Sequence, residues 1–279
     1  MTEIPQILQA AILGLMQGLA EFLPISSSAH LVIIPEILGW PYLGKAFDVA
    51  LHFGTLMALV VVFKADVLAI LRGTRNMVLG KFMSFDDNRP EETRLVQLLV
   101  VGCIPAAVIG LKFEDVIEAK LGGLYFVAAM LIAWGILLQL ADRKKTVAER
   151  SIPDLTFKDA IIIGCAQAAA LMPGTSRSGS TITMALFLGF SRTEAARFSF
   201  LLSLPVVAGA SLLKGIKLAS DPNTAQILGP LLVGILVSAV SGFLCITYFL
   251  KYLRTHSFLP FVIYRIVLGL FLIGWAANH

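Results

Sequence analysis

Long apolar runs dominate the hydropathy pattern of this chain. Six of them are long and apolar enough to cross a bilayer, whose ~30 Å hydrocarbon core needs about 20 helical residues. They are Phe47–Phe63, Leu95–Leu111, Leu121–Ala141, Phe198–Ile216, Ile227–Leu250 and Leu259–Ala276. The pattern predicts an all-α polytopic membrane protein with about six transmembrane helices.

Two further apolar regions are interrupted by proline and hydroxyl residues. The first covers residues 4–39 and breaks at Pro24 and the serines after it, and the second covers 157–190 and breaks between Pro173 and Gly179. Most of their arms are short for the hydrocarbon core. Irregular backbone at that depth is tolerated only inside protein or along a cavity. Each region is therefore predicted to be a re-entrant helical hairpin.

The two hairpins resemble each other at an offset of 150 residues. Each is followed by three predicted spans, which gives a first repeat over 1–142 and a second over 151–279 within one integral-membrane domain, 1–279. Since three is odd, the second repeat enters the membrane from the opposite face. Such inverted repeats place their site where the two broken elements meet. The identical pairs are Ile12/Ile162, Gly14/Gly164, Gln17/Gln167, Ala20/Ala170, Ser26/Ser176, Ser28/Ser178, Leu38/Leu188 and Gly39/Gly189.

Composition and charge support the membrane interpretation. Only 14% of residues are charged, against about 25% in soluble domains. The net charge of +4 lies in loops between apolar runs, which favours basic cytoplasmic loops over a nucleic-acid partner. Because most Lys and Arg gather at one face, both termini and the opening of the first hairpin are predicted to lie outside the cytoplasm. The chain could form a homo-oligomer, which the pattern leaves open.

Arg177 is the most unusual residue of the second hairpin. A guanidinium at membrane depth costs roughly 2.5–3.5 kcal/mol, so it is expected to face a cavity and an anionic partner. Arginine beside small residues at the start of a helix is a phosphate-binding arrangement. The candidate phosphate-binding residues are Ser26, Ser28, Gly174, Thr175, Ser176, Arg177, Ser178 and Thr181.

The first hairpin supplies groups suited to hydrolysis of a phosphate ester or anhydride. Gln17 and Glu21 are four residues apart and share a helical face, and Ser27 and His30 follow the break. Ser27 or His30 could be the nucleophile, and His30 could instead be the acid or base. Glu21 is expected either to act as base or to hold a divalent cation, Mg²⁺ or Ca²⁺, with the Gln17 oxygen as a further ligand.

Two other ionisable residues are given structural roles. His52 lies one helical turn from Asp48, so a structural Asp–His hydrogen bond is expected. Arg265 lies near the start of the last predicted span, where its side chain is expected to reach the cytoplasmic interface.

The hairpin motifs strongly resemble the undecaprenyl pyrophosphate phosphatase family associated with bacitracin resistance. The resemblance extends over essentially the whole chain, with Gln17 where many members carry Glu. The matching segments are Gln17–His30, Phe47–Gly54, Pro173–Thr181 and Arg197–Pro205.

The resemblance implies a bacterial inner-membrane enzyme that removes the terminal phosphate of undecaprenyl diphosphate. Its product would be the monophosphate carrier reused in peptidoglycan synthesis. It also implies a divalent-ion requirement and the interdigitated inverted repeat. The rival interpretation is a transporter or flippase for a polyprenyl phosphate lipid, because inverted repeats with broken helices also build transporters.

Overall fold

The computed structural model describes residues 5–80, 90–144, 149–219 and 224–278. These ranges form eleven α-helices and one 3₁₀ turn, Ile152–Asp154, which confirms the all-α prediction. The helices are α1 (Gln6–Ala20), α2 (Ser27–Leu38), α3 (Lys45–Val62), α4 (Lys64–Val78), α5 (Glu91–Leu121), α6 (Leu124–Arg143), α7 (Phe157–Ala169), α8 (Arg177–Phe187), α9 (Arg192–Ala219), α10 (Thr224–Leu253) and α11 (Leu259–Ala276).

Five helices in the described ranges are long and apolar enough to cross a membrane, namely α5, α6, α9, α10 and α11. A sixth span depends on α3, which passes the same test only together with α4, although the two helices meet at an angle of 91°. The chain is therefore a multi-pass membrane protein with five or six spans. No predicted span or hairpin covers helix α4.

The predicted break between the second and third spans lies at a different place in the structure. The span predicted to start at Leu121 starts at Leu124, and Leu121 is instead the last residue of α5. Gly122 and Gly123 separate the two helices. Glycine is a poor helix former, so the helix ends there in spite of continuous hydropathy.

Each predicted hairpin consists of two short helices, α1 with α2 and α7 with α8, of 11 to 15 residues. At 1.5 Å per residue they reach about 17–23 Å, less than the hydrocarbon core. The start of the first predicted hairpin, Ile4, lies outside the described residues. Ser26 and Ser176 precede the second arms with φ of 73° and 71°, and they are the non-glycine residues with positive φ in the described chain. The inverted topology itself stays a prediction.

The first arm of each hairpin packs against a helix from the other half of the chain. Helix α1 contacts α10, and a Cβ on Gly14 would lie 2.6 Å from the carbonyl oxygen of Gly234. Helix α7 contacts α5, where Gly164 meets the backbone of Gly102 even more closely. Helix backbones can approach this closely only where the residues between them have small side chains or none. The two halves are therefore interlocked, and this packing brings the hairpin tips together.

Candidate functional site

The two hairpin tips meet through an ion pair. Nη2 of Arg177, the first residue of α8, lies 3.0 Å from Oε1 of Glu21, which follows α1. Nη1 of Arg177 donates to the carbonyl oxygen of Ser199 on α9 at 3.0 Å. The guanidinium thus has the carboxylate partner that a buried charge requires.

The Glu21 carboxylate is buried and accepts several hydrogen bonds. Its Oε2 accepts from the Ser27 hydroxyl at 2.8 Å and from the Gln17 amide at 3.0 Å. Its side chain is 6% exposed, whereas Ser27 is partly open to the surroundings. The structure therefore brings four of the predicted site residues, Gln17, Glu21, Ser27 and Arg177, into one constellation.

His52 also reaches this constellation, and sequence reasoning missed it. Its Nδ1 bonds the main-chain carbonyl of Asp48 at 2.8 Å, and its Nε2 lies 3.5 Å from Oε2 of Glu21. The interpretation of His52 as a structural partner of Asp48 was therefore incomplete. The signal that could have found it is position: His52 lies mid-span, and an imidazole at that depth needs a polar partner on each nitrogen.

His30 makes its hydrogen bonds outside the Glu21–Arg177 constellation. Its Nδ1 bonds the carbonyl oxygen of Ser26 at 2.7 Å, and its Nε2 bonds the Tyr264 hydroxyl at 2.6 Å. The two rings are also stacked, with centroids 5.7 Å apart. Both imidazole nitrogens are therefore occupied away from Glu21 and Arg177.

Most hydroxyls of the second hairpin bond protein groups. Ser176 accepts from the Gly179 amide at 3.1 Å and so caps α8, while Ser178 donates to the Leu23 carbonyl of the first hairpin at 3.0 Å. Thr181 bonds the Arg177 carbonyl at 2.7 Å and the Ser199 hydroxyl at 2.6 Å. These groups hold the tips and the arginine in place.

The remaining predicted phosphate ligands differ in exposure. Ser28 is exposed and lies 3.3 Å from the buried Ser26, hydroxyl to hydroxyl. Gly174 has a φ of 88° and packs against the Val127 carbonyl, so a side chain there would clash with the backbone. The Thr175 hydroxyl is buried and has no hydrogen-bond partner among the described residues.

Arg265 is the clearest departure from the sequence-based expectation. Its side chain is 0% exposed and does not extend to the interface. The guanidinium donates to the carbonyl oxygens of Pro24, Gly174 and Thr175 at 3.0 Å each. It also donates to two carbonyls of α6, those of Met130 and Leu131. Arg265 therefore ties both hairpin tips to a transmembrane helix.

Two buried polar atoms of the constellation have no partner among the described residues, Oε1 of Gln17 and Nε of Arg177. A buried polar atom without a partner is costly, so each is suited to a ligand. The free Gln17 oxygen next to a carboxylate fits a hard divalent cation. In the described ranges, no three His, Cys, Asp or Glu side chains are grouped so that they could hold a metal ion, so oxygens of a ligand would complete such a site.

Chemically, the constellation joins a hydroxyl, an acceptor for its proton and a cation. The Ser27–Glu21 hydrogen bond is the arrangement of an activated nucleophile. Arg177 can neutralise phosphate oxygens and stabilise charge that develops on them.

Comparison with known proteins places the chain among membrane proteins of one family. The family described as "Bacitracin resistance protein BacA" matches residues 10–271. The Hahella chejuensis protein named "Undecaprenyl-diphosphatase" is 48% identical over 268 residues, 96% of this chain and 97% of that protein. Proteins of the same name from Teredinibacter turnerae and Geobacter metallireducens are each 47% identical, over 266 and 263 residues. These alignments cover 95% and 94% of this chain, and 98% and 95% of the two relatives.

Proposed function

The chain belongs to the bacitracin resistance protein BacA family, and on that premise we propose that it is an integral-membrane undecaprenyl-diphosphate phosphatase. It hydrolyses undecaprenyl diphosphate to undecaprenyl phosphate and inorganic phosphate, and it thereby supplies the lipid carrier and confers bacitracin resistance. The observation that carries the proposal is the Ser27–Glu21–Arg177 constellation at the hairpin tips.

Ser27 is the proposed nucleophile. Glu21, 2.8 Å from the hydroxyl, takes its proton as Oγ attacks the terminal phosphorus. The bond from that phosphorus to the bridging oxygen breaks, and its electron pair leaves with the lipid monophosphate. Water then attacks the phosphoserine, and Ser27 regains a proton as inorganic phosphate is released. His30 is not chosen because its nitrogens bond Ser26 and Tyr264.

Arg177 binds the non-bridging oxygens of the terminal phosphate. Its Nε is unpartnered and its side chain is 15% exposed, so it is available to a ligand while it holds Glu21. The charge that develops on the transferred phosphoryl group is stabilised by this fixed cation, which is worth about 10²–10³ in rate for a single donor.

Gln17 and Glu21 would hold the divalent cation, Mg²⁺ or Ca²⁺. The cation, when bound, neutralises phosphate charge. The unpartnered Gln17 oxygen supports this assignment.

We further propose that the protein lies in the bacterial inner membrane with the site opening away from the cytoplasm. The basic ends of the helices, on which Arg192 pairs with Asp142 and Arg197 with Asp66, would then face the cytoplasm. A single cysteine at the exposed position Ser28, in a cysteine-free background, should react with a membrane-impermeant thiol reagent from outside. Labelling only from the cytoplasmic side would overturn this orientation.

The activity is tested by phosphate release from undecaprenyl diphosphate by detergent-purified protein, with and without EDTA. We expect release that stops in EDTA and returns when Mg²⁺ or Ca²⁺ is added. The Glu21→Gln variant should be inactive, and Glu194→Gln, at the far basic end of α9, should be active. Folded wild-type protein that binds the lipid without releasing phosphate would favour lipid transport instead.

A further inference from the structure

Helix α4 lies across the helix bundle rather than along it. It turns by 91° from α3 at Phe63. One side is attached to the start of two spans: Asp66 pairs with Arg197 of α9 at 2.6 Å, and Gly73 packs against the Glu92 carbonyl of α5. Because α3 is apolar and stands beside α10, α4 runs near the membrane plane at the end of the bundle where α5 and α9 begin.

The opposite side of α4 carries an unusual mixture of side chains. Leu68, Leu71, Arg72 and Arg75 line one surface cleft of about 310 Å³. The two leucines are 57% and 59% exposed. Within the part of the chain that the structure describes, no carboxylate lies within ion-pair distance of either arginine. We call these four residues the α4 face.

We propose that the α4 face binds one anionic phospholipid, with the guanidinium groups on its phosphate headgroup and the leucines against its acyl chains. A helix lying in the interface with cations beside apolar side chains is built for this environment. Arginine binds phosphate through paired N–H donors. Two positive charges that have no carboxylate partner among the described residues favour a net negative headgroup over a zwitterionic one, whose own cation opposes them. The proposal is independent of the hydrolytic site, because no residue of the α4 face contacts the hairpin tips.

Native mass spectrometry of the full-length protein would test this with dioleoyl phosphatidylglycerol and dioleoyl phosphatidylcholine as probes. We expect the wild type to retain phosphatidylglycerol preferentially. Binding should weaken by about 5-fold for each guanidinium removed, or roughly 30-fold in Arg72→Gln/Arg75→Gln. The matched control Lys251→Gln/Arg254→Gln removes two exposed cations from the end of α10 and should bind like the wild type. Equal retention of the two lipids, or equal losses in both double variants, would overturn the proposal.

A second measurement needs no arginine substitution. In Leu71→Trp, quenching of the added tryptophan fluorescence reports lipid contact. The signal is the difference in fluorescence between this variant and the wild-type protein. Brominated phosphatidylglycerol in mixed micelles should quench it at a lower mole fraction than brominated phosphatidylcholine. Equal quenching by the two lipids would contradict the proposal. Phosphate release should be the same in all these variants, so failure here is distinguishable from failure of the proposed enzyme activity.

Discussion

The carboxylate of Glu21 and the guanidinium of Arg177 lie 3.0 Å apart, although 156 positions separate them in the chain. Each pair of short helices, α1 with α2 and α7 with α8, thus contributes one member of the ion pair. Neither hairpin alone contains both the proton acceptor and the cation, so the site depends on how the two halves dock.

Replacement of Arg177 by lysine should abolish most activity. Lysine keeps the charge, but its donors lie on a single nitrogen and cannot reproduce the guanidinium fork, in which Nη1 and Nη2 bond the Ser199 carbonyl and Glu21 while Nε stays available to phosphate. We expect phosphate release to fall about 10²–10³-fold with a small change in thermal stability. Arg192→Lys, which alters an ion pair at the basic end of α9, is the matched control and should retain activity. Equal activity of the two variants would rule out Arg177 as the phosphate ligand.

The contributions of Glu21 and Arg177 to the free energy of unfolding should be strongly coupled. Glu21→Gln leaves a largely buried guanidinium unpaired, which should lower the free energy of unfolding by about 3 kcal/mol. Arg177→Gln instead leaves the buried Glu21 carboxylate unpaired and should also be destabilising. The double variant should lose less free energy of unfolding than the two single variants together. Thermal unfolding of the three variants in one detergent measures the coupling. Strict additivity would show that the two charges do not interact.

Ser27→Ala and His30→Gln separate the two candidate nucleophiles. Loss of the Ser27 hydroxyl should reduce release to background, because no other hydroxyl of the described chain bonds Glu21. His30→Gln should retain partial activity, and Tyr264→Phe should resemble it, since both changes alter the 2.6 Å hydrogen bond between the two side chains. Kinetics of phosphate release would decide, and an inactive His30→Gln beside an active Ser27→Ala would make His30 the nucleophile.

Arg265→Lys tests the anchor of the hairpin tips. An ammonium group has three donors and cannot reach five carbonyl oxygens in different directions. At least two buried carbonyls lose their partner, so the free energy of unfolding should fall by about 2–6 kcal/mol at the usual 1–3 kcal/mol each. Thermal unfolding checks this, with Arg254→Lys at an exposed position as control. An unchanged melting temperature would contradict the role of Arg265.

The interlocking of the halves predicts different outcomes at two glycines. Gly164→Ala places a methyl group against the Gly102 backbone, and overpacking of this kind costs about 1–3 kcal/mol. Gly274→Ala meets nothing within 4 Å, and its better helix propensity should stabilise α11 slightly. Melting temperatures of the two variants should therefore move in opposite directions.

Sequence patterns predicted the helical class, the multi-pass membrane character and the breaks between the short helix pairs well. Apolar runs and their interruptions by Pro24 and by the segment around Arg177 are local signals, and burial in a membrane makes them strong. The offset of 150 residues also picked out Ser26 and Ser176, whose backbones share a positive φ. Local patterns were weaker for α4, because a charged amphipathic helix in the membrane plane lacks the hydropathy of a span.

The site was predicted only in part, because its geometry depends on distant packing. A local role could be assigned to each of two residues from the sequence. His52 lies one helical turn from Asp48, and Arg265 lies near the expected membrane interface. Their observed partners, Glu21 and the tip carbonyls, lie 31 to 241 positions away in the chain. No local periodicity carries that information.

The contacts of Arg265 have a consequence for the order in which the protein is made. Glu21, Ser27 and Arg177 are all synthesised before α11, yet the carbonyls that shape both tips receive their donor from residue 265. A nascent chain whose last helix has not entered the membrane therefore contains these three residues but lacks the Arg265 hydrogen bonds to the hairpin tips. We therefore expect the proposed site to be completed only when the final span is inserted.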